Sequence, residues 1–157
     1  MLLGPAAVMV ASLLLTCLSV RAGENVPTPA MVGHWQGNAR IVVNWCQQRG
    51  LPIALDIRPD GSVTGKIGDA ALRQGHFQRN RGWVGRKLNV KTDYIITGKL
   101  SGPIVAAEGI TRSGVKIPLN FVGRTFVGGV HTSGSAFGGK ARMILSAASL
   151  TLRREDS

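Results

Sequence analysis

The densest chemistry in the chain is FQRNRGWVGRKLNVK, residues 77–91, where Arg79, Arg81, Arg86, Lys87 and Lys91 surround Trp83. Guanidinium and ammonium groups pair with phosphate or carboxylate oxygens, and an indole stacks on bases or inserts at a lipid interface. The stretch can therefore act as an electrostatic clamp on an anionic membrane surface, cell-wall polymer or other polyanion, with Gly82 and Gly85 permitting the tip to bend. The alternative is a solvated loop whose Trp83 folds back over an apolar mouth, because a tryptophan is costly to leave uncovered on a charged tip.

No other stretch completes a reactive set. Gly134-Ser135-Ala136-Phe137-Gly138-Gly139-Lys140 satisfies GxxxxGK of a phosphate-binding loop, but Ala141 stands where a hydroxyl should hold Mg²⁺, so a glycine loop is the better reading. His34, His76 and His131 are the only imidazoles, and no two are spaced as metal ligands on one element; no metal and no cofactor is implied. Ser133 and Ser135 near His131 do not form a nucleophile elbow. Eight acids in the whole chain leave little scope for paired carboxylates, and Asp56, Asp60 and Asp69 read as strand-surface and turn residues. Cys46 reads as a small buried hydrophobe. The residues thus name no catalytic group and carry no specific nucleic-acid motif.

The elements that would position this loop are strands. WQGNARIVVNW alternates, with Trp35, Gly37, Ala39, Ile41, Val43 and Trp45 on one parity, which predicts a long half-buried strand over 35–45. LPIALDIR repeats the pattern with Leu51, Ile53, Leu55 and Ile57 inward, Pro59-Asp60-Gly61 closes a hairpin, and SVTGKIG returns. TDYIITGKL, IVAAEGI and GVKIPLNFVG are three further strands, parted by Ser101-Gly102-Pro103 and Arg112-Ser113-Gly114. RTFVGGVH and ARMILSAASLTLRR complete about eight or nine strands, a spacing typical of all-β barrels and sandwiches. Met143, Ala147 and Leu150 also fit a helical spacing, so the last segment is open between strand and helix. Gly37, Gly65 and Gly98 inside strand patterns mark bends or close backbone approaches of the kind a small barrel needs to close.

Residues 5–20 carry no charge, and Val20-Arg21-Ala22 offers small or branched residues at the minus three and minus one places, so residues 1–22 read as an export signal cleaved after Ala22. The missing basic n-region leaves an uncleaved membrane anchor as the rival, and Thr16 before Cys17 argues against lipidation. Residues 23–31 then form a linker and 32–154 a single β domain, secreted or periplasmic, large enough to hold its own core. Loss of Cys17 leaves Cys46 the only thiol and no internal disulfide. Nineteen Lys and Arg against eight Asp and Glu, a formal net charge of +11, favour anionic partners and solubility but say nothing of fold.

Gly33-His34-Trp35 at the start of the first strand, with Arg153 or Arg154 at the end of the last, resembles the GxW and terminal arginine of the calycins, the superfamily of lipocalins, fatty-acid-binding proteins and avidins. The resemblance implies an up-and-down barrel in which Arg153 or Arg154 lies over Trp35 and closes one end. Thr92-Asp93-Tyr94 matches a lipocalin triplet but falls too early in the chain and is set aside. Two non-catalytic readings follow. In the first, the barrel is a binding module whose inward residues Trp35, Ile41, Val43, Leu55, Ile57 and Tyr94 hold a small apolar ligand, or else fill a solid core. In the second, Arg79, Arg81, Arg86, Lys87 and Lys91, with Trp83, dock the protein on an anionic surface.

Overall fold

The chain is described by a computed structural model that covers residues 26–80, 92–136 and 141–155. Ten strands follow one another: β1 (Gly33–Ile41), β2 (Gly50–Ile57), β3 (Ser62–Ile67), β4 (Ala70–Arg79), β5 (Tyr94–Ser101), β6 (Pro103–Val105), β7 (Ile110–Thr111), β8 (Gly114–Val122), β9 (Thr125–Ala136) and β10 (Ala141–Arg154). Eight of them close an antiparallel barrel in the order β1-β10-β9-β8-β5-β4-β3-β2. Each barrel strand pairs with the next in the chain, and the β1–β10 pair, with Trp35 opposite Arg154, seals the circle and removes both sheet edges. The all-β barrel read from the sequence is the fold of the protein, and residues 141–154 are a strand. Among the described residues no helix is long and apolar enough to cross a membrane.

Alternation explains the wall. In β1, Trp35, Ala39 and Ile41 are buried between exposed Gln36, Asn38 and Arg40, and in β2 Leu51, Ile53, Leu55 and Ile57 alternate with outward residues. Inward side chains from around the barrel join one apolar cluster that includes Val63, Ile67, Leu72, Phe77, Ile96, Ile117, Leu119, Phe126, Val130 and Leu152. The hairpin turn at Asp60 is secured as its carboxylate accepts the Ser62 amide at 2.8 Å and the Ser62 hydroxyl at 2.6 Å.

Two expectations of the sequence are corrected. The first strand ends at Ile41 rather than Trp45, because the Ile41 amide donates to the Arg49 carbonyl and the Val42 amide to Ser146, which turns the chain out of the wall. Val43 is left partly buried against the core and Trp45 is 45% exposed. The segment IVAAEGI is not a barrel strand. It forms the β6–β7 ribbon, with a 3₁₀ turn at Ala106–Glu108, folded across one end of the barrel.

That ribbon shuts the end where β1 finishes and β10 begins. Ile104 and Val105 are fully buried. Asp69 donates its amide to the Ile104 carbonyl and accepts the Ala106 amide on its carboxylate at 2.9 Å. Glu108 takes the amides of Gln47 and Gln48, each at 2.8 Å, so ribbon and β1–β2 connection are tied together. These two amides hold the Glu108 carboxyl below the usual carboxylate range. The opposite end carries the β2–β3 and β8–β9 turns, the start of β1 and the end of β10; Arg79 and Tyr94, which flank residues 80–93, are paired there.

Candidate functional site: an arginine-rimmed barrel mouth

At that second end the core reaches the surface through aromatic rings. Trp35, 1% exposed, donates its indole N–H to the Met31 carbonyl at 3.0 Å, which fixes the ring under the 3₁₀ turn at Pro29–Met31. Phe126 meets it edge-on at 4.7 Å between ring centres and Phe121 at 6.1 Å, while Phe77 stacks on Tyr94 at 5.1 Å. Such pairs add to the apolar burial of each ring.

Above Trp35 and Phe121 opens a cleft of about 460 Å³, lined also by Ala30, Gly123, Arg124, Arg153 and Arg154. Local structure delivers each cation. Gly123, at φ +62, makes the tight β8–β9 turn that presents Arg124. Arg153 is opposite Thr125 and Arg154 opposite Trp35 in the strand register. Arg154 lies across Gly33, where a Cβ would stand 3.0 Å from its Nε.

Three acids of this rim, Asp56, Asp60 and Glu155, are engaged elsewhere. His34 places Nδ1 at 2.6 Å from Asp56 Oδ1 and Nε2 at 3.3 Å from Glu155 Oε2, and Gln36 donates to Glu155 at 2.8 Å. Asp60 is occupied by Ser62. Among the described residues every ion pair involves His34, so Arg124, Arg153 and Arg154 are all exposed with no carboxylate partner there. Three guanidiniums without a described carboxylate partner over an apolar floor have the chemistry to accept an anion with an apolar body.

The sequence-derived candidates fall as follows. Trp35 is the floor of the cleft; Ile41, Leu55 and Ile57 are fully buried in the core; Val43 and Tyr94 pack partly against it. Arg79 is exposed at the end of β4 on the mouth side, and Arg81, Trp83, Arg86, Lys87 and Lys91 lie outside the described residues. Arg153 and Arg154 stand at the mouth, and the cation–π pair seen among the described residues is Arg112 over Trp45 at 5.2 Å, at the other end. Arg124 and Phe121 were not anticipated. Val122-Gly123-Arg124-Thr125 is a turn by composition, but nothing in a linear reading brings it beside residues 153–154.

Among the described residues the other chemistry-bearing groups assemble no reactive set. Cys46 is buried; its thiol donates to the Gln48 carbonyl and Glu108, and burial together with that carboxylate pushes its pKa up. Among the described residues no cluster could hold a metal ion. His131 on β9 lies 3.2 Å from the Ser146 hydroxyl with no described carboxylate to orient it, so a nucleophilic triad is not formed. Burial pushes the His131 pKa below its ordinary 6.5. The unfolded chain then takes up the proton first as pH falls, so stability from this residue is full above its ordinary value and is lost below it. Urea midpoints at about pH 8 and about pH 5 should drop less in His131→Gln than in the parent; equal drops would remove His131 from the acid response.

No family model matches the chain, no curated protein matches it, and no solved structure matches it.

Proposed function

We propose that this protein is an exported, non-catalytic binding module whose barrel mouth takes a small anion-headed amphiphile, the head among Arg124, Arg153 and Arg154 and the apolar body against Trp35 and Phe121. The observation that carries the reading is the cleft itself, where three arginines lack acidic partners among the described residues over an aromatic floor. The inward positions Ile41, Leu55 and Ile57 are consumed by core packing, which favours a ligand at the mouth over one deep in the barrel. A closed up-and-down barrel with Trp35 opposite Arg154 supports the calycin-like reading of this module, and the apolar run at residues 5–20 supports export.

Docking on a broad anionic surface is the weaker alternative. Arg58 and Arg79 share the mouth side, but so do Asp56, Asp60, Asp93 and Glu155, which makes the rim mixed in sign rather than uniformly basic. A bounded cleft discriminates better than such a rim.

Titration with decyl phosphate, with decanol as the neutral control, tests the reading. The parent should bind the phosphate in preference, and R124Q/R153Q/R154Q should bind it roughly 10- to 100-fold more weakly, after allowance for solvent screening of exposed cations. Equal affinity in parent and variant would sink the mouth assignment. Retention on anionic vesicles that persists in the triple variant would instead favour surface docking.

A further inference from the structure

Arg112 is the least satisfied polar group among the described residues. It follows β7 in the ribbon that shuts the far end of the barrel, and it is 6% exposed. Its Nη1 donates to the Thr111 carbonyl at 2.7 Å, and its guanidinium carbon lies 5.2 Å from the centre of the Trp45 ring. Nε and Nη2 are buried with no hydrogen-bond partner. No described carboxylate pairs with it. Glu108, on the same ribbon, is committed to the Gln47 and Gln48 amides. Burial pushes the Arg112 pKa down, and the side chain acting in the other direction is Cys46, whose own thiol is pushed toward the neutral form.

The two orphaned donors are not an arbitrary pair. Nε–H and one Nη2–H form the side-on edge of a guanidinium, two parallel donors matched to two oxygens of a carboxylate or phosphate. The third nitrogen is already used on the protein, so the whole fork is left over as a unit. A buried charge with an unmet fork is among the costliest arrangements a fold can hold, and one oxyanion answers charge and both donors at once. Trp45, the ring beside the guanidinium, keeps 45% of its surface in solvent and lies outside the barrel strands.

We propose that Arg112 is a second anion site, distinct from the mouth, which takes a small oxyanion bidentately on its Nε–Nη2 edge beside Trp45. The chemistry is shared by a phosphate and by a carboxylate, and the site lies under the ribbon rather than on the open rim.

The experiment is done in R124Q/R153Q/R154Q protein, so its outcome does not depend on the mouth. Inorganic phosphate and acetate are titrated separately, read by melting temperature and by calorimetry. A saturable rise with one of the ions is expected, phosphate or acetate identifying which oxyanion the fork prefers. Adding R112K, which keeps charge but lacks the fork, should weaken that response at least about tenfold, and adding R112M should abolish it. In ion-free buffer R112M should melt no lower than its parent, because an apolar side chain removes a buried unmet charge. A saturable shift that survives in both Arg112 variants overturns the proposal. So does the absence of a shift with either ion, or a large fall in melting temperature for R112M without ions, which would mean that the guanidinium is satisfied within the fold.

Discussion

Trp35→Ala is expected to lower the thermal unfolding midpoint by roughly 10–20 °C, corresponding to about 3–5 kcal/mol for truncating a buried tryptophan in a domain of this size. The effect is large because three things are lost together. The indole is 1% exposed, it is the ring against which Phe121 and Phe126 pack, and its N–H donates to the Met31 carbonyl. Trp35→Phe separates these contributions. It keeps an aromatic ring in the floor but leaves the Met31 carbonyl without its donor, and should cost about 1–3 kcal/mol for the unmet group and the reduced volume. Thermal denaturation followed by circular dichroism reads both. A midpoint in Trp35→Ala within a few degrees of the parent would mean that the mouth aromatics do not support the barrel.

The second large effect belongs to a residue without a side chain. Gly37→Ala should destabilise the protein by about 4 kcal/mol or more, beyond the range of ordinary surface substitutions. A Cβ at Gly37 would overlap the Thr151 carbonyl oxygen across the β1–β10 pair. That pair is the seam of the barrel, with Gly37 opposite Leu152, so relief by backbone movement opens the one junction that joins the first strand to the last. An opened seam presents two strand edges, and association of the variant should accompany its loss of stability. Gly102→Ala is the control. Unlike Gly37 it sits at positive φ, but nothing lies within contact distance of a Cβ there, so only the backbone cost of about 1 kcal/mol applies. Size-exclusion chromatography and denaturant midpoints distinguish the two; a monomeric Gly37→Ala of parental stability would show that the seam tolerates a side chain.

The glycine at 37 was legible as a bulge, a bend or a close approach because it interrupts an otherwise regular strand pattern, and the hairpin at Pro59-Asp60-Gly61 was legible from turn chemistry alone. Other elements were hidden by bulges. In β4, Gln74 at φ +51 and a register shift between Arg73 and His76 move the inward positions from Ala70 and Leu72 to Phe77, so a strict period of two fails across the segment. In β10, a shift between Ala147 and Leu150 with Ser149 at φ +54 changes the buried set from Leu145 and Ala147 to Leu150 and Leu152. One extra residue in a strand turns steps of two into a step of three, which is why Met143, Ala147 and Leu150 imitate a helical face. Trp45 fits the alternation of β1 but leaves it because Ile41 and Val42, just before it, spend their amides on Arg49 and Ser146.

Alternation, turn residues and interior glycines, all local properties of the chain, determined by themselves that the protein is an all-β meander able to close, with aromatic and terminal arginine residues at the ends of its strands. Only the tertiary structure decided which end is shut and which is a mouth. The β6–β7 ribbon crosses one end, while Arg124 from a central turn meets Arg153 and Arg154 from the last strand at the other. The reason is physical: strand pattern depends on neighbours one or two residues away, whereas uncompensated charge depends on which acids come close after closure. His34 takes Asp56 and Glu155, Gln47 and Gln48 take Glu108, and the arginines are left over as a consequence of packing that no single stretch of sequence contains.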